Sequence, residues 1–172
     1  KQFFSKSIDL HEKVGNTTGQ ARVYSRLAEE AERDLNYEVA SSFYSKSMKI
    51  RMASDDLRAI AVIKRKLGRL AKKQNKDEEA VVLYNESLQI FRDIEYKSGE
   101  AGCLIDLGYL ERKREKFDDA EFFINKGLEL HEEIGAWIGV MSAKIALGAV
   151  ADSKGELNRA ESLMRQALDL AT

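Results

Sequence analysis

Apolar residues recur along the chain at spacings of three and four, which is the pattern of amphipathic α-helices. The same apolar and small residues return every 40 positions, and each 40-residue unit has room for two helices. We place the helices at about 18–34, 37–53, 57–74, 77–93, 97–114, 117–133, 137–154 and 157–171, with turn-forming residues between them. The most regular columns are Ala40, Ala80, Ala120 and Ala160; Leu27, Leu67, Leu107 and Leu147; and Ala28, Gly68, Gly108 and Gly148.

The small residues in register predict close contact between the two helices of each unit. Glycine in a helix interior costs about 1 kcal/mol relative to alanine, so glycine at three equivalent positions indicates that packing requires it. Four residues after each alanine of the first column comes a large side chain, and Tyr44 and Tyr84 are therefore predicted to be core residues. Asp77, Asp118 and Asn158 are expected to cap the starts of second helices.

The composition supports a helical chain without a membrane span. The 172 residues include no proline, and no run of 18 apolar residues occurs. Cys103 is the single cysteine, and His11 and His131 are far apart, so neither a disulfide nor a metal site is expected. We expect a cytoplasmic location. The first residue is Lys1, which predicts a fragment of a longer protein.

The expected domain organisation is one array over residues 1–172. It would consist of a half repeat at 1–14 and full repeats at 15–54, 55–94, 95–134 and 135–172. The phosphate-binding, zinc-protease and nucleophile-elbow motifs do not occur in the sequence, and histidine is scarce. We therefore expect no enzyme activity and no cofactor.

A small residue is followed after twelve positions by alanine, four later by a large apolar residue, and three later by another small residue. This order resembles the tetratricopeptide repeat (TPR), and its last column is Ser47, Ser87, Gly127 and Ala167. The unit is longer than the usual one of about 34 residues and lacks the helix-ending proline, and in both respects it is similar to the long-repeat branch. That branch includes kinesin light chains, Pins/LGN, bacterial Rap regulators and sensor arrays of prokaryotic signalling ATPases. The resemblance implies an all-α, right-handed α-solenoid of antiparallel helix hairpins that binds a protein or peptide.

In this family the first helices line a concave groove, and their inward stripe can be transferred by column. The corresponding trios are Ser25/Glu29/Glu32, Arg65/Arg69/Lys72, Ile105/Tyr109/Arg112 and Ile145/Ala149/Asp152. Among the twelve positions that the resemblance implies, we predict seven partner-binding residues, namely Arg65, Arg69, Lys72, Ile105, Tyr109, Arg112 and Ile145. The alternatives are a solvated face for the basic trio and packing between repeats for Tyr109. Trp137 is assigned either to a local apolar contact or to binding.

The charge distribution suggests the chemistry of the partner. Residues 41–80 hold 11 basic and 5 acidic side chains, although the whole chain has a net charge of −1. Such a concentration of positive charge favours a partly acidic peptide or helical segment. Two alternatives remain open, a sensor array of a larger signalling ATPase or transcription regulator, and nucleic-acid binding through the basic repeat. Weak self-association through uncapped ends is also expected, involving Phe3, Phe4 and Ile8 at one end and Leu163, Leu168 and Leu170 at the other.

Overall fold

A computed structural model describes residues 10, 11 and 13–170. From residue 17 to residue 169 the protein consists of eight helices, and the described residues contain no β-strand, which confirms the predicted all-α repeat fold. The helices are α1 (Thr17–Arg33), α2 (Tyr37–Ala53), α3 (Leu57–Lys73), α4 (Asp77–Asp93), α5 (Lys97–Lys113), α6 (Phe117–Glu133), α7 (Trp137–Ser153) and α8 (Leu157–Asp169). The predicted bounds are at most two positions away from these. The calls on Phe3, Phe4 and Ile8 lie outside the described residues.

The chain divides into two compact units, Lys1–Leu83 and Tyr84–Thr172. In the first unit, buried side chains of α1, α2 and α3 form the core, with Ala28, Tyr44 and Ile63 at one level and Ala31, Ala40 and Leu70 at another. In the second unit, a core cluster joins α5, α6 and α7 through Ile105, Ala120, Ile124, Ala143, Ala146, Leu147 and Val150. The predicted core tyrosines Tyr44 and Tyr84 are both fully buried.

Three residues join each helix to the next, and the middle residue has a left-handed backbone. The φ angle is positive at every twentieth position, at Gly15, Leu35, Asp55, Asn75, Glu95, Glu115, Gly135 and Gly155. The N–H of the following residue donates to the carbonyl five positions earlier at 2.8–3.1 Å, from Asn16 to His11 through Glu156 to Ala151. This is the Schellman arrangement, which satisfies carbonyls at the end of a helix. The backbone pattern therefore recurs with every helix, although the side-chain pattern recurs only with every second helix.

Side-chain caps occur at the starts of α1, α2 and α3. The side chains of Asn16, Asn36 and Asp56 accept from the backbone N–H three residues later at 2.8, 3.4 and 3.0 Å. The prediction that Asp118 and Asn158 cap second helices is wrong, because both lie inside α6 and α8, one residue past the first helical position. The residues preceding α6 and α8 make no side-chain cap either. Asp77 is the first residue of α4.

The predicted close approach of paired helices is present in α5 and α6. A Cβ added to Gly108 would lie 2.4 Å from Cγ1 of Ile124 and 3.0 Å from the carbonyl oxygen of Ala120. A Cβ on Gly127 would lie 2.8 Å from Cγ1 of Ile105. Each helix therefore places an isoleucine against a glycine of its neighbour, and larger residues at the two glycines would separate the helices.

Cys103 is fully buried, and its Sγ lies 3.3 Å from Oγ of Ser87. Within the described residues, no helix has both the length and the apolar character needed to cross a membrane.

The left-handed linkers lead to a first prediction. Gly135→Ala should lower the free energy of unfolding by about 1 kcal/mol, because alanine is strained at φ 63°. A clash with other residues is excluded as the cause of this loss, because nothing lies within 4 Å of the added Cβ. The reciprocal change Glu115→Gly should raise the free energy of unfolding by roughly 0.5 kcal/mol. Glycine relieves the backbone strain, but this gain is partly offset because glycine also increases the entropy of the unfolded chain. Urea unfolding followed by circular dichroism measures both, and changes of equal sign would contradict the linker argument.

The helix contact at Gly108 leads to a second prediction. Gly108→Ala should destabilise the protein by roughly 1–3 kcal/mol despite the better helix propensity of alanine, because Ile124 is fully buried and cannot move aside. The double variant with Ile124→Ala should show a coupling free energy of about 1 kcal/mol in a double-mutant cycle. Additive effects in urea unfolding would show that the two side-chain positions do not compete for space.

Candidate functional site

In the first unit, acidic side chains of α1 face basic side chains of α3. Lys66 forms an ion pair with Glu29, and Nζ of Lys73 donates to Oε1 of Glu32 at 2.8 Å. Beside these pairs lies a shallow cavity of about 490 Å³ lined by Arg26, Glu29, Glu32, Arg33 and Lys73. All five lining residues are charged, so this surface is suited to polar and ionic contacts rather than to apolar ligands.

A buried tyrosine supports the same surface from α2. The Tyr44 hydroxyl donates to Oε2 of Glu32 at 3.3 Å, and Nζ of Lys66 lies 5.7 Å from the centre of its ring. Burial raises the pKa of Tyr44, and the negative charges of Glu32 and Glu29 add to the rise, whereas the positive charge of Arg69 opposes it. Tyr44 therefore remains protonated and holds Glu32 in position for Lys73.

The predicted basic trio lies on α3 in the first unit. Arg69 is exposed, whereas Arg65 and Lys72 are half-buried. The helix has seven basic and no acidic residues, the basic ones being Arg58, Lys64, Arg65, Lys66, Arg69, Lys72 and Lys73. Glu29 and Glu32 of α1 face Lys66 and Lys73, and α3 itself carries no acidic residue.

Ile105, predicted to contact a partner, lies in the core of the second unit. It is 5% exposed and packs against Gly127, with Ile124 and Leu147 in the same cluster. The equivalent Ser25 also faces its own hairpin, since its Oγ is 2.8 Å from Oγ of Ser47, which donates to the Ala21 carbonyl at 2.8 Å. The first member of these two trios thus contacts the second helix of the same hairpin, and Ile105 has little surface for a ligand.

The other predicted residues of the second unit are partly accessible. Tyr109 is half-buried and packs against the core cluster. Nη1 of Arg112 donates to Oγ of Ser153 at 3.0 Å, which connects α5 to α7. Ile145 is exposed over 39% of its surface. Partner binding by these residues stays a prediction.

Two features of the structure were absent from the sequence-based predictions. The crossed pairs between α1 and α3 join side chains 37 and 41 positions apart, so a search at the 40-residue interval misses them. Phe122 is the second feature, being 59% exposed at a column occupied elsewhere by Ser42, Val82 and Ser162. Trp137 is 54% exposed at the start of α7, beside the exposed Ile138.

In the part of the chain that is described, acidic, histidine and cysteine side chains form no group of three suited to a metal ion.

Similar folds occur among solved structures at low sequence identity. BtubC (BKLC) from P. vanneervenii has a TM-score of 0.74 at 22% identity, covering 98% of this chain and 78% of that protein. A Rap protein complexed with Competence and Sporulation Factor has a TM-score of 0.74 at 15% identity, covering 93% of this chain and 43% of that one. A kinesin light chain structure from Podosopora anserina with nearly identical TPR-like repeats has a TM-score of 0.71 at 11% identity, with 98% and 84% covered. No curated protein sequence matches the chain significantly.

The hairpins and these neighbours define a TPR-type helical repeat protein. The family model of SNAP, the soluble NSF attachment protein, matches residues 1–134, which is most of the chain. The chain belongs to this family.

The Tyr44 contact leads to a third prediction, on pH. A group whose pKa is raised on folding stabilises the folded state below its unfolded pKa, near 10 for tyrosine, and this stability is lost as the pH rises further. The free energy of unfolding should therefore fall above about pH 10. Tyr44→Phe should reduce this fall while costing about 1 kcal/mol at neutral pH, where the hydrogen bond to Glu32 is missing.

Urea unfolding at a series of pH values measures both effects. Parallel pH profiles for the native chain and Tyr44→Phe would contradict the assignment. The comparison between the two chains cancels the titration of lysines and of the other tyrosines.

Proposed function

We propose that the chain is a protein-interaction module that binds a partly acidic peptide or helical segment of another protein. The basic surface of α3 makes the ionic contacts through Arg65, Arg69 and Lys72. In the second unit, Tyr109, Arg112 and Ile145 supply polar and apolar contacts, and Ile105 supports them from the core. The observation that carries the proposal is the excess of positive charge on α3, a helix with seven basic and no acidic residues.

The arrangement of charges favours a partner with carboxylates. Arginine binds carboxylates through two parallel hydrogen bonds, and a positive field of this kind also accelerates association with acidic ligands. Glu29 and Glu32 of α1 already pair with Lys66 and Lys73, which shows that carboxylates fit along α3 at bonding distance. The family is described by its attachment to another protein, NSF, and one structural neighbour is complexed with Competence and Sporulation Factor. Both descriptions agree with protein binding as the role of such a fold.

Charge reversal on α3 tests the proposal and is the fourth prediction. The chain serves as bait in a pull-down with quantitative mass spectrometry, and the affinity for each recovered protein is then measured by calorimetry. The double variant Arg65→Glu/Arg69→Glu should weaken binding of the acidic partner by about tenfold or more, with a larger effect at low salt. Circular dichroism checks that the variant is folded.

A matched control is available in the same unit. Lys49→Glu/Lys76→Glu changes the net charge equally at two exposed positions, one on α2 and one in the linker before α4. This control should leave the affinity within about twofold, because exposed charges outside an interface act mainly through a screened field. A partner that binds both variants and the native chain equally would exclude α3 as the binding surface.

The two alternative functions lead to different results in the same experiments. A sensor array of a signalling ATPase requires a nucleotide-binding domain in the full-length protein. Nucleic-acid binding requires recovery of RNA or DNA by the bait and a steep loss of affinity with salt. The charge on α3 is compatible with the second of these, but few aromatic side chains accompany its basic residues, since α3 itself contains none.

A further inference from the structure

The second unit contains a cleft of mixed apolar and charged lining, which lies between α5, α6 and the C-terminal part of α4. Its volume is about 430 Å³, and its apolar lining consists of Leu88, Leu104, Phe122, Phe123 and Leu130. Leu88 and Leu104 are buried and form the floor, whereas Phe123 and Leu130 are half-buried. The charged and polar residues Asn85, Arg92, Glu100, Lys126, Glu129 and Glu133 complete the lining. An apolar floor with a polar rim is the usual composition of a protein-binding site.

Phe122 is the most exposed apolar side chain of this cleft. It is 59% exposed, and its ring meets that of Phe123 edge-to-face with 5.6 Å between the centres. The same column holds serine in the first and fourth repeats, at Ser42 and Ser162, so the fold does not require an aromatic residue there. An exposed aromatic beside an apolar floor is a typical anchor position of an interface, since aromatic residues dominate binding energies.

The charges around the cleft favour a basic partner. Three carboxylates line the cleft, Glu100, Glu129 and Glu133, against the two cations Arg92 and Lys126. Glu129 and Glu133 belong to α6, which has six carboxylates, a single lysine and the buried His131. Of the rim residues, Glu129 and Glu133 keep 62% and 56% of their side-chain surface exposed. A basic partner is therefore favoured on this helix, in contrast to α3.

The rim cations leave the carboxylates accessible to such a partner. Lys126 pairs with Glu129 at 2.8 Å, and Lys97 pairs with Glu133, in both cases near the protein surface. Exposed ion pairs contribute about 0–1 kcal/mol, so exchanging these lysines for cations of a partner costs little. Arg92 pairs with the largely buried Glu100 at 2.8 Å and stays part of the wall.

We propose that this cleft is a second docking site, whose partner is a basic amphipathic helix. One large apolar side chain of the helix enters the cleft and packs against Phe122, with Phe123 and Leu130 beside it. Lysine or arginine residues on the flanks of the same helix pair with Glu129 and Glu133. This is recognition of a helix in a groove, where residues three and four positions apart anchor the helix. The site uses different residues from the basic surface of α3 and prefers the opposite charge.

Synthetic helices provide the test, which is the fifth prediction. A fluorescein-labelled peptide of roughly 18 residues, five turns of leucine and lysine with the leucines on one face, is titrated with the full chain by fluorescence anisotropy. Two peptides serve as comparisons, a scrambled sequence of equal composition and an otherwise identical one with glutamate in place of lysine. We expect the amphipathic leucine–lysine peptide to bind at least about tenfold more tightly than both.

Matched variants locate the binding. Phe122→Ser should weaken binding by about tenfold or more, because it removes the anchor. Val82→Ser is the control, since Val82 occupies the same column, is 55% exposed and lies in the other unit. Glu129→Lys/Glu133→Lys should also weaken binding, by about tenfold at low salt. Its control is Asp119→Lys/Glu132→Lys, which makes the same charge change on α6 outside the cleft lining.

Four results would overturn the proposal. These are no binding of the leucine–lysine peptide, equal binding of the scrambled or glutamate peptide, an unchanged affinity of Phe122→Ser, and an equal loss with Val82→Ser. Sedimentation of the chain alone tests a different occupant, because a dimer that Phe122→Ser abolishes would assign the cleft to a second copy. Charge reversal on α3 should leave the peptide affinity unchanged, so failure here and failure of the proposed function are distinguishable.

Discussion

The architecture depends on one backbone constraint, the left-handed residue in the middle of every three-residue linker. The N–H of the residue that follows each left-handed residue donates to the carbonyl five positions before the donor. This hydrogen bond ends one helix at a fixed point, and the next helix starts directly after it. The first seven helices consequently have the same length, whatever their composition. Glycine occupies only some of these positions, and Leu35 or Glu95 adopts the same φ at a cost that the packed hairpins offset.

Much of the fold could be predicted from the sequence because it rests on repeated local signals. Apolar spacing located all the described helices, and the small residues identified contacts such as Gly108 against Ile124. The predictions of helix caps at Asp118 and Asn158 were wrong for a physical reason. Both are polar residues near a helix start, but they lie one position past the first helical residue. The cap position follows directly from the left-handed residue, and five of these residues are not glycine, so the turn signal is weak.

The candidate site was less predictable, because side-chain direction depends on a small rotation of the helix about its axis. A spacing of three and four assigns residues to one face but does not distinguish the groove from the edge of the hairpin contact. Ile105 falls on the hairpin side because Gly127 leaves room for it, and Ser25 does so because Ser47 offers a hydrogen bond. Phe122 could not be predicted from the columns that repeat, because it differs from Ser42 and Ser162 at the same column.

The uniform linkers have a consequence for how such a chain can change in length. One residue inserted into a helix turns everything after it by about 100°, which would bring polar side chains into the core. Insertion of one helix together with its linker preserves the backbone phase but exchanges first helices for second ones. Two such segments preserve both, so whole hairpins are the tolerated unit of duplication or loss. A surface feature carried by one hairpin, such as Phe122 on α6, can therefore be acquired or deleted without altering the others.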